Sequence, residues 1–233
     1  MKASVVLATY KERGNIVKLI KTIFSEFKKN KMNCEVVVVD DNSPDGTADA
    51  VRKFFKKNKN VKLIVRKNER GLGTAVGRGI KESKGDVIVL MDSDFSHDPK
   101  QIPHMAKLTD KYEIVSGSRY EKGGGLNTKF YRKLAASIMR IYITLLLQMK
   151  IKDYTNGFIA IRKSVLNKLD HSKIFYGYGD YYFRLYYFAS KKGARIKEVP
   201  AYYKFREKGQ SKTNILKHGM QYALAAIKLR FFS

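Results

Sequence analysis

The chain has 233 residues and little of what would make it a disulfide scaffold, a zinc protein or a membrane-spanning protein. Its one cysteine, Cys34, excludes an intrachain disulfide and, set just before an apolar run, is expected to be a buried structural thiol. The histidines, His97, His104, His171 and His218, have no mutual metal-ligand spacing, so a zinc site is excluded. No apolar run approaches the length of a spanning helix; the nearest, from Leu134 to Leu147, is broken by Arg140. No leader pattern precedes the first strand, since Met1-Lys2 runs straight into it, and a reducing, cytosolic compartment is the expectation. There is no G-x-x-x-x-G-K-[ST] segment and no glycine fingerprint after the first strand, which excludes a P-loop and a dinucleotide-binding turn. No serine lies in a G-x-S-x-G context, so a hydrolase nucleophile is unsupported. No internal repeats are visible.

Acid is also scarce: 21 Asp and Glu against 47 Lys and Arg give a net charge of +26. Such a surface seeks polyanions, whether nucleic acid, anionic membrane or phosphorylated substrate. A Lys-rich surface inherited from a heat-loving proteome would look the same. What is present in quantity, 44% hydrophobic and 12% aromatic residues, fits a globular chain of one domain, with or without an appendage.

Apolar patterning alternates strand with helix. Strands are expected over Ala3–Ala8, Glu35–Val39, Val61–Val65, from Val87 and over Tyr112–Ser116. Between them fall an amphipathic helix from Asn15 to Lys28, one from Thr47 to Lys57 with Val51, Phe54 and Phe55 inward, one from Thr74 to Glu82, and one opened by Pro99. This order means βαβ units and a mostly parallel, doubly wound sheet with ligands at the strand C-termini. The second half is less regular. Gly123-Gly124-Gly125 reads as a flexible loop, Lys129–Gln148 as a long helix, Gly157–Ile161 as a strand and Asp180–Lys191 as an aromatic helix. Ala194–Glu198 and Ala201–Phe205 read as a strand pair split by Pro200. Leu216, Met220, Ala223, Ile227 and Phe231 share one face of a C-terminal helix. That stripe suits an anionic membrane surface, the sheet, or a membrane-anchoring partner subunit.

The acids fall at strand ends. Val87-Ile88-Val89-Leu90-Met91 is an unbroken apolar run closed by Asp92-Ser93-Asp94. Two carboxylates this close repel unless a cation neutralises them, and oxygen ligands of this kind suit Mg²⁺ or Mn²⁺ shared with substrate phosphates. The alternative is a solvated turn with Asp94 capping a helix. Asp40-Asp41, after the second strand, either bond a nucleobase or ribose or cap the next turn. Gly71-Leu72-Gly73 is either a phosphate loop or a tight turn. Arg119 and Arg132 either hold a phosphate or are ordinary surface charge.

Taken in order, these segments resemble dolichyl-phosphate mannosyltransferases and related family 2 glycosyltransferases of the GT-A fold. The resembling segments are Ala8-Thr9-Tyr10-Lys11-Glu12-Arg13-Gly14-Asn15, Val37-Val38-Val39-Asp40-Asp41-Asn42-Ser43-Pro44-Asp45-Gly46-Thr47, Met91-Asp92-Ser93-Asp94-Phe95-Ser96-His97-Asp98-Pro99 and Ser116-Gly117-Ser118-Arg119-Tyr120. Phe130-Tyr131-Arg132, Asp153-x-x-x-Gly157-Phe158, Glu198-Val199-Pro200, Arg206 and Gly209-x-Ser211-Lys212 complete the pattern. The likeness runs from residue 3 to about 215, and it divides the chain into a catalytic domain over 1–212 and a C-terminal amphipathic helix over 213–233.

The resemblance implies roles. Tyr10, Glu12, Val39 and Asp41 would hold the nucleoside. Asp92 and Asp94 would bind Mg²⁺ or Mn²⁺ and the diphosphate, with Ser93 beside them and Ser96 as a further metal ligand. Arg206 and Lys212 would clamp the donor diphosphate, and Arg119 and Arg132 would receive the acceptor phosphate. The implied reaction is inverting transfer of mannose from GDP-mannose to a polyprenyl phosphate, by an enzyme peripheral on the cytosolic face of the membrane. UDP-glucose or another nucleotide sugar, or a saccharide acceptor, is the alternative. Ala8 and Lys11 stand where the family has Pro and Asn, at the nucleoside pocket, so the base stays open. Arg184 falls where a helix Glu is usual, with Asp180 as its candidate replacement; these departures also fit an accessory subunit with little catalysis. Nucleic acid is set aside as a partner, because a charge footprint does not account for the ordered acids.

Overall fold

The computed structural model describes residues 1–128, 130–203 and 215–232, with 215–217 as backbone only. Its strands are Lys2–Thr9 (β1), Asn33–Asp40 (β2), Val61–Val65 (β3), Val87–Leu90 (β4), Ile114–Ser118 (β5), Gly125–Leu126 (β6), Ile159–Arg162 (β7), Ile196–Pro200 (β8) and Tyr202–Tyr203 (β9). The helices are Ile16–Lys29 (α1), Thr47–Phe55 (α2), Leu72–Glu82 (α3), Ile102–Leu108 (α4), Phe130–Leu147 (α5), Lys163–Leu166 (α6), Tyr181–Lys191 (α7) and Ile215–Phe231 (α8). A seven-stranded sheet has the order β3-β2-β1-β4-β7-β5-β8. Every pairing in it is parallel except those of β7, which runs antiparallel between β4 and β5.

The strands are apolar on both faces because both faces are covered. Val6, Val37, Val39, Ile88 and Leu90 point into one core, shared with α3, α5, α7 and α8. Their neighbours Val5, Leu7, Val36, Val38 and Val89 point into the other, shared with α1, α2 and α4. On α1, Ile16, Leu19, Ile20, Ile23 and Phe27 fall at helical spacing and are all 0–1% exposed. Full burial of each such side chain stabilises by about 1.5–3 kcal/mol. Cys34 is buried and free, as expected.

Chain order places the cleft. From β1 the chain moves outward to β2 and β3, then crosses to the other side of β1 to lay down β4. The connections after β1 and β4 therefore leave in opposite directions. The crevice between them at the strand C-termini is the topological switch point where α/β sheets bind ligands.

Several expectations are corrected. Gly125 is in a strand, not a flexible loop: β6 pairs in parallel with β9 in a separate two-stranded sheet. Consequently β8 and β9 are not partners of one another; Pro200 ends β8 and the chain crosses to β6. Phe54 is 56% exposed, with Lys21 Nζ 5.2 Å from its ring centroid, so of the three expected inward residues of α2 only Val51 and Phe55 pack on the core. Of the surroundings left open for the stripe on the C-terminal helix, the sheet does not take its exposed members: Met220 is 70% and Phe231 67% exposed, while Ala226 and Leu229 are buried. Tyr222 and Ala225 pack with them against the core. Tyr142 Oη on α5 donates to the Ala223 carbonyl at 3.2 Å, tying α8 to α5. The side chain of Leu216 lies outside the described residues.

Candidate active site

A cavity of about 560 Å³ opens at the switch point. The end of β1 supplies Ala8, Thr9 and Tyr10, and the turn after β4 supplies Asp92, Ser93 and Asp94. Glu12, Asp41 and Arg119 also line it, so seven of the residues singled out in the sequence share one cleft: Tyr10, Glu12, Asp41, Asp92, Ser93, Asp94 and Arg119.

The two acids after β2 divide their work. Asp40 is fully buried; its Oδ1 accepts from Thr9 Oγ1 at 3.0 Å and Ser43 Oγ at 2.6 Å, and its Oδ2 accepts from the Ser43 amide at 2.8 Å. It builds the turn. Asp41 faces the cleft and is neutralised by Arg66, a buried cation at the end of β3 that sequence reasoning missed. Arg66 Nε donates to Asp41 Oδ1 at 2.7 Å, Nη2 to the Gly71 carbonyl at 2.8 Å and Nη1 to Thr74 Oγ1 at 2.8 Å. The Gly71 amide closes the ring by donating to Asp41 Oδ2 at 2.9 Å. Gly71 has φ +138°, and a Cβ at Gly73 would lie 2.6 Å from the Tyr176 carbonyl oxygen. The glycines thus serve a close-packed turn, and that turn lines the cleft beside Arg70, whose guanidinium lies 5.4 Å from the Tyr10 ring centroid.

The acid pair after β4 is held from all sides. The Asp92 amide donates to His97 Nδ1 at 3.1 Å, and Tyr203 Oη donates to Asp92 Oδ2 at 3.2 Å. Ser93 Oγ reaches the Ala8 carbonyl at 3.2 Å. Asp94 is 2% exposed and its Oδ1 accepts from the Ser96 amide at 3.0 Å and Ser96 Oγ at 2.6 Å. The turn passes through Phe95 at φ +64°, a left-handed conformation uncommon for a residue with a side chain. Ser96 itself is buried and its hydroxyl donates to Asp94.

Arg119 also lines the cleft. Its Nε and Nη2 donate to Asp153 at 2.7 and 2.6 Å, and Nη2 also donates to Thr155 Oγ1 at 2.7 Å. Nη1 makes no bond to a described residue. Burial works against the charge, but Asp153 outweighs it and raises the Arg119 pKa. Asp153 is positioned in turn by Glu198 of β8, whose Oε1 and Oε2 accept the amides of Asp153 and Lys152 at 2.9 and 2.8 Å. Tyr178, Tyr182, Tyr203 and Tyr222 complete the lining. Burial raises the Tyr182 pKa well above the usual phenol value, and the neighbouring Tyr181 hydroxyl and Asp92 carboxylate act in the same direction, so Tyr182 keeps its proton.

Other expected residues lie elsewhere. Val39 is fully buried in β2 and outside the cleft lining. Arg132, on α5, is also outside the lining, with Nε 3.4 Å from Tyr131 Oη. Arg206 and Lys212 lie outside the described residues. Asp180 and Arg184 pair with each other; Asp180 Oδ1 accepts the Tyr178 amide at 2.8 Å and Arg184 Nε donates to the Ile174 carbonyl at 3.0 Å. Together they shape the loop that presents Tyr178 and Gly179 to the cleft. Asp153 carried a signal in its motif; Tyr203 and Tyr222, within aromatic-rich segments, carried none.

Residues 4–170 match the family model described as Glycosyl transferase family 2. The chain belongs to that family, and its mixed, mostly parallel sheet flanked by helices is a GT-A-like fold. It is 38% identical over 216 residues to a dolichol-phosphate mannosyltransferase of Pyrococcus furiosus, covering 91% of this chain and 59% of that one. It is 33% identical to the Saccharomyces cerevisiae protein of the same name, over 70% of this chain and 61% of the other. The chain thus spans about three fifths of the length of these relatives. Among solved structures, glucosyl-3-phosphoglycerate synthase from Mycobacterium tuberculosis, with Mn²⁺, UDP and glucosyl-3-phosphoglycerate, superposes with a TM-score of 0.71. That likeness has 18% identity, covers 98% of this chain and 79% of the other, and concerns the fold.

Proposed function

We propose that the chain transfers a sugar from a nucleotide-diphosphosugar to a phosphate-bearing acceptor, with inversion at the anomeric carbon. One observation carries this: a single switch-point cleft is lined by two carboxylates at the end of β4 and by an arginine locked in place by a buried acid.

The donor set fits a divalent cation. Asp92 and Asp94 offer hard oxygen ligands, and among the described residues no cluster of three acid, His or Cys side chains competes as a site. Mg²⁺ is commonly bound by one or two carboxylates, with substrate phosphates and water completing the shell. Bound there, Mg²⁺ or Mn²⁺ would supply the positive charge against which a diphosphate leaves. Ser96 and Tyr203 fix the carboxylates that would hold it. Arg119, held by Asp153, presents Nη1 as the donor for an anionic acceptor. A phosphate monoester is already ionised near neutral pH and attacks without a general base. Tyr10 and Asp41, which line the same cleft, would hold the nucleoside.

The broader of the two sequence readings, a family 2 transferase with base and sugar open, is the better supported. For the narrower one, mannose from GDP-mannose to a polyprenyl phosphate, the support is the relatives' names and a surface. On α5, Phe130, Leu134, Ile138 and Leu145 are 79%, 51%, 59% and 73% exposed, and Leu224 and Phe231 on α8 are 64% and 67% exposed. No helix among the described residues is long and apolar enough to cross a membrane. Exposed apolar side chains on helices that also carry the exposed cations Lys133, Lys228 and Arg230 suit an anionic membrane surface and a lipid acceptor. For a UDP-sugar and a small phosphorylated acceptor, the support is the solved fold neighbours and the departures at Ala8 and Lys11.

Incubating the purified chain and Mn²⁺ with GDP- and UDP-sugars, each against polyprenyl phosphate and against phosphoglycerate, separates these readings. Label in an organic-extractable, acid-labile product supports the lipid acceptor, and label in an anionic water-soluble product supports the small one. Donor consumption in neither arm contradicts the proposal.

A further inference from the structure

The function proposed above uses no histidine, yet the motif after β4 carries one, buried to 2% exposure directly behind the acids. The ring of His97 lies parallel to Phe158, with centroids 4.9 Å apart and 8° between planes. It meets Tyr203 edge-on at 5.3 Å. Its two nitrogens face partners whose roles are fixed. The Asp92 amide can only donate, so Nδ1, 3.1 Å away, must accept. On the other side Nε2 lies 2.9 Å from Asn156 Oδ1. Asn156 Nδ2 donates to the Gly117 carbonyl at 2.7 Å, which orients that amide and leaves Oδ1 as an acceptor. Nε2 therefore carries the proton. A one-way chain of hydrogen bonds runs from the Asp92 amide through His97 and Asn156 to a carbonyl of β5.

We infer that His97 is the positioning residue for Asp92: it grips the acid's backbone through Nδ1 and buttresses, through Tyr203, the hydroxyl that holds the carboxylate. This rests on the reading of Asp92 and Asp94 as the cation-diphosphate site. The hold works at both ends of one residue. Tyr203 Oη donates to Asp92 Oδ2 at 3.2 Å, and the ring of Tyr203 packs on the edge of His97. The relay also ties the end of β4 to the end of β5 through Asn156, in the segment that carries Asp153 and Thr155, the partners of Arg119. One buried imidazole thus ties the turn that carries the acids to the segment that holds the arginine. Residues that orient a metal's ligands from behind commonly change metal affinity or activity tenfold or more when replaced.

The test compares His97→Phe, which keeps the stacked ring and loses both polar bonds, with His97→Asn, which loses the ring but keeps an acceptor near the place of Nδ1. Mn²⁺ affinity is read from the electron paramagnetic resonance of free Mn²⁺, with GDP and with UDP present, and Tm is measured in parallel. His97→Phe is expected to weaken Mn²⁺ binding about tenfold and to lower kcat, with little change in the acceptor KM. His97→Asn is expected to lower Tm more and to keep Mn²⁺ affinity within about twofold of the native chain, because the acceptor for Asp92 survives. Adding Asn156→Leu to His97→Phe should weaken Mn²⁺ binding no further, since both belong to one chain of bonds. Native-like Mn²⁺ affinity in His97→Phe, or a loss in both variants that follows Tm, overturns the inference. A native chain that binds no Mn²⁺ with either nucleotide counts against the proposed function instead, so the two failures are distinguishable.

Discussion

Asp153 holds Arg119 by three bonds at once: Nε at 2.7 Å, Nη2 at 2.6 Å and the backbone amide at 3.0 Å. The Asp153 side chain is 1% exposed and that of Arg119 11%. The arginine assigned to the acceptor is therefore one half of a buried pair, and its direction is fixed before any ligand arrives.

Asp153→Ala should accordingly cost more than a surface pair would. Removing one partner of a buried pair strands the other charge, at about 3–5 kcal/mol. Urea unfolding is expected to show that loss, and transfer should fall through a raised acceptor KM. A change below about 1 kcal/mol, the range of exposed pairs, would mean that Arg119 is well solvated without Asp153.

Glu113 and Arg195 give a pH signature. Bidentate hydrogen bonds from the Arg195 guanidinium hold the Glu113 carboxyl down at about 2, against an ordinary 4.5. The folded-state pKa is depressed, so the pair's stabilisation is present above 4.5 and is lost as pH falls from 4.5 towards 2. Glu113→Gln should lower Tm slightly at pH 7, and the gap should close as the two are compared at successively lower pH through that window. A gap that is unchanged at the acid end would contradict this.

Cys34 should be silent to thiol reagents. Burial pushes its pKa up to about 12, leaving almost no thiolate at pH 8. Ellman's reagent is expected to find no reactive thiol in the native chain and one per chain in guanidinium. Rapid native labelling would show that the start of β2 opens.

Much of this architecture was readable from the residues. Strands buried on both faces betray themselves as unbroken apolar runs, and Asp40-Asp41 and Asp92-Ser93-Asp94 mark their C-terminal ends. The second half was harder because its elements are defined by partners distant in sequence. Gly125 becomes a strand residue only because Tyr202 comes to lie beside it, and Ile159–Arg162 enters the sheet antiparallel between strands already laid down. The apolar stripe on the C-terminal helix was visible, but periodicity names a face and not what it faces; the core took Tyr222, Ala226 and Leu229 instead. Arg66 looked like any surface cation, and only the fold shows it buried between Asp41 and Gly71.

The central claim is that the carboxylates at the end of β4 couple a divalent cation to a nucleotide diphosphate. Calorimetric titration of GDP and UDP into the native chain and into Asp94→Asn, each with and without Mn²⁺, tests it most directly. In the native chain Mn²⁺ should tighten one nucleotide by about tenfold or more, roughly 1.4 kcal/mol, and in Asp94→Asn that gain should vanish while binding without Mn²⁺ is little changed. An equal Mn²⁺-dependent gain in both proteins would contradict the account.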